Sequence, residues 1–227
     1  MNAAEYLLAY FETDSAGDAK HKGFRFPNVV DALEEVESVI KARREAGFEV
    51  DLEMECLTRW KESALEPFVQ GSGIAWEISW GSLKTGSKLN AGDLMGLRVV
   101  ADRMKESSLQ FTGDQRSKIV ELLSESRKAL GDIAASLPEG LALYLSRLMR
   151  EVETALDEYA ITGDFVLERA FCRLREGLDV AMLRTPDGDS GKWDNAKAVL
   201  RELAIGFMIE APSLAIDAAQ LFPQIGS

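Results

Sequence analysis

The chain has a single histidine, His21, set between Lys20 and Lys22. One imidazole removes much of the usual reaction chemistry. Zinc sites built on paired histidines and Glu-x-x-His di-iron sites lack the residues they need. A Ser-His-Asp triad would have to use His21 itself, in a polar loop where a solvated imidazole is expected. The two cysteines, Cys56 and Cys172, are far apart and flanked by apolar residues. No C-x-x-C pair exists, so both are expected as small buried hydrophobes in a reducing compartment, with a long-range disulfide as the alternative. Ser38-x-x-Lys41 has the spacing of a serine–lysine dyad, but such a short pattern arises by chance in a chain of this size.

Carboxylates alone can hold Mg²⁺, so their spacing matters. Glu34 and Glu37 are three apart, as are Glu176 and Asp179. Two such pairs converging from facing helices would make a metal site, but a solvated helix face accounts for each pair without one. Gly81 to Lys88 reads Gly-Ser-Leu-Lys-Thr-Gly-Ser-Lys. A phosphate-binding loop needs Lys and then Ser or Thr, so that the amine reaches the phosphates and the hydroxyl reaches Mg²⁺; here the order is reversed. Trp60, Trp76 and Trp80 are the remaining candidates, as contacts to a partner or a planar ligand, although core packing is the commoner role of Trp. No catalytic, cofactor-binding or metal-ligating residue is assigned, and no cofactor is expected.

The elements that carry these residues are helical. Ala3 to Phe11 is a short helix, and Thr13 to Gly23 a polar loop. Phe24 to Pro27 is extended, because the residue before proline avoids helical angles. Asn28 then caps a helix to about Ala46, with Val29, Leu33, Val36 and Ile40 on one face and Gly47 as its stop. Phe48 to Cys56 alternates apolar and acidic residues, the period of a half-buried strand. A helix from Asp51 aligns Met54, Leu57, Ala64 and Phe68 over a longer span, and is preferred, ending near Pro67. Residues 71–96 hold six of the 18 glycines. They read as a long connection with at most a short β-hairpin near 74–84, and long connections often carry function.

Helices follow over Ala91 to Lys105, from Thr112 or Asp114 to about Ala135, over Trp193 to Ile209 and over Ser213 to Leu221. Between them, residues 138–183 form a helical hairpin. Pro138 opens its first helix, whose stripe is Leu141, Leu145, Leu148, Val152, Leu156 and Tyr159. Gly163 stops that helix and Asp164 caps the second. Thr185 to Lys192 is a polar turn. The fold class is therefore all-α, a bundle of eight or nine helices. Residues 1–110 form one helical region and 111–227 a second, organised on the hairpin, unless the two are one continuous domain.

Composition limits the partners. The chain has 227 residues, 46% of them hydrophobic and 28% charged, with a net charge of −12. Residues 1–110 carry 13 basic and 19 acidic side chains, and residues 111–227 the same numbers. No basic cluster exists to track phosphates, so no direct nucleic-acid contact is expected. The first residues lack the basic-then-apolar pattern of a secretory signal, and no stretch is long enough to span a bilayer, so a cytoplasmic location without a transmembrane segment is expected.

The run Leu137-Pro138, Leu141, Tyr144-Leu145, Leu148, Ala155-Leu156, Tyr159 and Gly163 resembles a helical pair of uncharacterised bacterial proteins associated with antiphage defence or toxin–antitoxin loci. The resemblance covers about 50 residues and implies helix packing and a defence setting, with no catalytic residue. These readings together favour a non-enzymatic module that binds a protein partner or itself. The rivals are a ligand sensor or metal-dependent enzyme using carboxylates, and an acidic mimic of nucleic acid that inhibits a nucleic-acid-binding protein.

Overall fold

The computed structural model describes residues 1–13, 22–69, 89–105 and 108–210. Among them the chain is all α, with eight α-helices, one 3₁₀ helix and no strand. The helices are α1 (Ala3–Phe11), α2 (Phe26–Glu45), α3 (Asp51–Val69), α4 (Ala91–Met104), α5 (Gly113–Ile133), α6 (Leu141–Asp157), α7 (Tyr159–Arg184) and α8 (Asp194–Glu210), with the 3₁₀ helix at Asp187–Trp193. The polar segment around His21, the expected hairpin near 74–84 and the terminal helix over Ser213 to Leu221 lie outside the described residues.

The chain divides into two compact units, Met1–Ser108 with Ala160–Phe165, and Leu109–Tyr159 with Val166–Ser227. In the first, α1 packs on α2 and α4, and α3 packs on α4 and α2. The alternation from Phe48 to Cys56 does not make a strand. Val50 and Cys56 are buried, but Phe48 and Leu52 are exposed, because from Asp51 the 3.6 period takes over and buries Cys56, Leu57, Trp60 and Ala64 instead. Tyr6 stands at the aromatic centre of the unit, its ring 5.0 Å from Phe24 and 5.1 Å from Phe165.

The second unit has one continuous apolar core drawn from α5 to α8, including Leu122, Leu148, Phe171, Leu174 and the fully buried Trp193. Trp193 closes the 3₁₀ turn, its indole N–H donating to Thr185 Oγ1 at 2.9 Å. Gly177 lets α6 and α7 approach: a Cβ there would stand 2.6 Å from a Leu148 methyl.

Several helix ends differ from the sequence reading. α2 is entered from Arg25, which is extended, and not from Asn28; Pro27 lies in its first turn, where a missing N–H leaves nothing unpaired. α3 runs two residues past Pro67. α6 begins at Leu141 rather than at Pro138, whose carbonyl accepts from Leu141 N–H at 3.1 Å, and Gly140 enters the helix with φ +83°. α6 ends at Asp157, before Gly163, and Gly163 instead breaks α7 internally with φ +64° and ψ −152°.

That break leaves helix-start N–H groups to be paired. Met1 O accepts from Asp164 N–H at 3.0 Å and from Phe165 N–H at 3.4 Å, while the Met1 ammonium lies 2.6 Å from the Asp164 carboxylate. A Cβ on Gly163 would fall 2.7 Å from Met1 O. Gly163→Ala therefore adds a backbone clash to an unfavourable φ and is expected to cost at least about 2 kcal/mol in urea unfolding. Gly47→Ala has a similar φ of +85° but open space around it, and is expected to cost about 1 kcal/mol. Equal losses at the two positions would show that contact with Met1 does not hold the break.

Candidate functional site

The first unit gathers its polar chemistry at the seam between α3 and α4. Asn90 caps α4: its side chain accepts from Asp93 N–H at 2.9 Å, and the Asp93 carboxylate accepts from Asn90 N–H at 3.0 Å. The same carboxylate accepts from Arg59 Nε at 2.6 Å, and the Asp93 carbonyl accepts from Trp60 Nε1 at 3.0 Å. Arg59 also reaches Glu55 at 3.0 Å and places its other terminal nitrogen 3.5 Å from Cys56 Sγ. Gly96 makes room for this arrangement, since a Cβ there would be 3.4 Å from Cys56 Sγ.

Burial pushes the Asp93 pKa up, but the Asn90 N–H and the Arg59 guanidinium outweigh it and hold the carboxyl below its ordinary value. Burial raises the Cys56 thiol and pushes that of Cys172 up to about 12. Both cysteines are free thiols, so the disulfide alternative falls, and both are held in the unreactive protonated form. The arrangement is a structural clamp whose donors and acceptors are already engaged with one another.

Trp60, named as a contact to a partner, is 0% exposed; its ring fills the core beneath the seam and cannot meet an outside molecule. Trp76, Trp80 and the Gly81–Lys88 loop lie outside the described residues. Glu37 is gripped by Lys61 at 2.6 Å and Lys41 at 3.0 Å, and these bonds lower its pKa. Asp179 pairs with Arg175 at 3.3 Å, while burial raises its pKa. Glu34 and Glu176 are exposed. The two carboxylate pairs fall in different units. Among the described residues, no three His, Cys, Asp or Glu side chains are grouped so as to hold a metal, and no helix is long and apolar enough to cross a membrane.

In the second unit a groove of about 680 Å³ runs between α5 and α6. Leu123 and Leu156 line it, with Arg127, Lys128, Glu153 and Asp157 around them. Arg127 is held by Glu153 at 2.5 Å and Lys128 by Glu125 at 2.5 Å, so its cations are engaged before any ligand arrives.

Exposed apolar residues form the more telling feature. On α6 and α7 these are Leu143, Tyr144, Val180 and Leu183, the last 80% exposed. Tyr144 lies 3.7 Å from the Cβ position of Gly177, and Val180 is one turn further along α7, so they border the same α6–α7 seam. On α3 and α4 they are Leu52, Met95 and Val99. The helical period counts Val180 as core, whereas Leu52, Met95 and Val99 fall off the buried stripes of their helices.

The chain matches no protein-family model, no curated protein and no solved structure.

Two expectations follow from the clamp. Asp93 has a depressed folded-state pKa, so the stability of its ionised form is present above about pH 4 and is lost as pH falls through the lower folded value. Asp93→Asn should cost about 2 kcal/mol at pH 7, with the gap to wild type narrowing near pH 3 in urea titrations. Neither thiol should react with iodoacetamide at pH 7.5 until the protein is unfolded; rapid labelling of native Cys56 would show a nucleophile that the packing does not predict.

Proposed function

We propose that this chain is a non-enzymatic helical module that binds another protein, or a second copy of itself, within a bacterial defence or toxin–antitoxin system. The observation that carries the reading is the apolar border of the α6–α7 seam, where Val180 and Tyr144 face solvent, with the exposed Leu183 further along α7. Exposed clusters of large apolar side chains mark interaction surfaces, and aromatic residues among them commonly act as anchors. The engaged state of the polar groups supports it too, since Asp93, Arg59, Glu37 and both cysteines work within the fold. The defence setting rests on the resemblance carried by residues 137–183.

Light scattering on the purified chain, alone and mixed with the product of a neighbouring gene, tests this. A higher-mass species is expected, and Val180→Asp with Leu183→Asp should weaken it at least about tenfold while leaving the fold intact, because both positions are at the surface. A strict monomer that binds no neighbouring gene product would count decisively against the module.

A further inference from the structure

The first unit carries a second surface, and its chemistry is more specific. The pairs Arg59–Asp93 and Arg103–Glu53, and the approach of Cys56 to Gly96, fix α3 and α4 as antiparallel neighbours. In that register Leu52 on α3, 64% exposed, falls on the outer edge of the seam, and Met95 and Val99 on α4 fall on the same edge. Met95 is 57% exposed. Three large apolar side chains thus stand along one line of solvent.

The charge around them leans negative. Residues 49–58 contain four carboxylates and no cation. Four nearby cations are paired, Arg59 to Asp93 and Glu55, Arg103 to Glu53, Arg98 to Glu12, and Lys105 to Asp102 and Glu5, while Arg43 stacks on the Phe48 ring at 4.5 Å. Glu49 and Asp51 meet no cation among the described residues. Compensation of the helix dipole accounts for acids in the first turn of α3. It does not account for Leu52 standing exposed among them.

We propose that the α3–α4 seam docks a basic amphipathic helix of a protein partner. Apolar side chains of that helix, spaced three and four apart, lie on Leu52, Met95 and Val99, and its Lys and Arg residues meet Asp51 and Glu49. The acidic border repels anionic lipid and nucleic-acid phosphate, which leaves a cationic protein segment as the complementary occupant. The proposal rests on the interaction-module reading and adds the class of partner.

The probe is a synthetic helix of roughly 18 residues, with Leu at helical spacing and Lys elsewhere, dye-labelled and titrated by fluorescence anisotropy. Saturable binding is expected, with none for the counterpart in which Glu replaces Lys. Leu52→Asp with Met95→Asp is the decisive variant. It removes apolar contact yet adds negative charge, so mere attraction between a cation and an acidic protein would strengthen. Docking at the seam instead predicts weakening by at least about tenfold. Unchanged or tighter binding, or no binding by the wild type, overturns the proposal. If the double variant loses its helical circular dichroism, Val99→Asp alone carries the same test. The α6–α7 variant serves as the cross-check: loss of the neighbouring partner through Val180 and Leu183 but not through Leu52 and Met95 would remove the seam and leave the module standing.

Discussion

Asp93 joins three otherwise separate requirements of the first unit. Its backbone N–H and carboxylate complete the cap of α4, its carboxylate neutralises Arg59, and its carbonyl receives the only N–H of the Trp60 ring. A buried indole N–H without an acceptor, or a buried carboxylate without donors, would each be costly. Here each satisfies a requirement of the other helix, so the register of α3 against α4 is set by polar geometry as well as by apolar shape. Gly96 belongs to the same constraint: with no side chain between α4 and Cys56, the two helices come close enough for Arg59 to reach across. The exposed edge of Leu52, Met95 and Val99 inherits its alignment from this clamp.

The second unit solves the same packing problem with almost no polar contribution at its centre. Its helices are joined through Leu, Val and Phe residues, and the side-chain bond that closes it, Trp193 to Thr185, sits at a turn. Its ion pairs, such as Lys118 with Glu202 at 2.5 Å, lie at the surface, where each contributes little. The acidity of the chain therefore does not hold this unit together. It sets what the surface attracts and repels.

Much of the architecture is visible in sequence, because amphipathic periodicity is a local signal repeated many times. α4 begins at Ala91 as its pattern implies, α5 takes Thr112 rather than Asp114 as its cap, and α3 follows the longer of two competing periods. What fails is legible as physics too. Pro138 and Asn28 have the residue types of helix starts, but the chain enters those helices elsewhere, since a favourable cap residue is outweighed when packing selects another entry angle. Gly163 was readable as a break. That the break would receive Met1 O was not, because the contact joins positions 163 residues apart. Trp60 shows the opposite limit: aromatic type suggested a surface contact, while its position in the α3 period already placed it beside Leu57 and Ala64 on the buried face.

The exposed residues invert that lesson. Leu52 belongs to an alternating pattern that, in isolation, implies burial, whereas Val99 stands off the buried stripe of Leu97, Val100 and Met104, and the finite width of each helix–helix contact decides which apolar residues remain outside. Two neighbouring rods can cover only the faces that meet. Residues at the border stay in water unless a third element covers them, and along α3 the border is also where the carboxylates collect. An apolar edge alone would favour indiscriminate association. Carboxylates beside it disfavour acidic chains, including other copies of this net-negative protein, and so turn a sticky edge into a selective one.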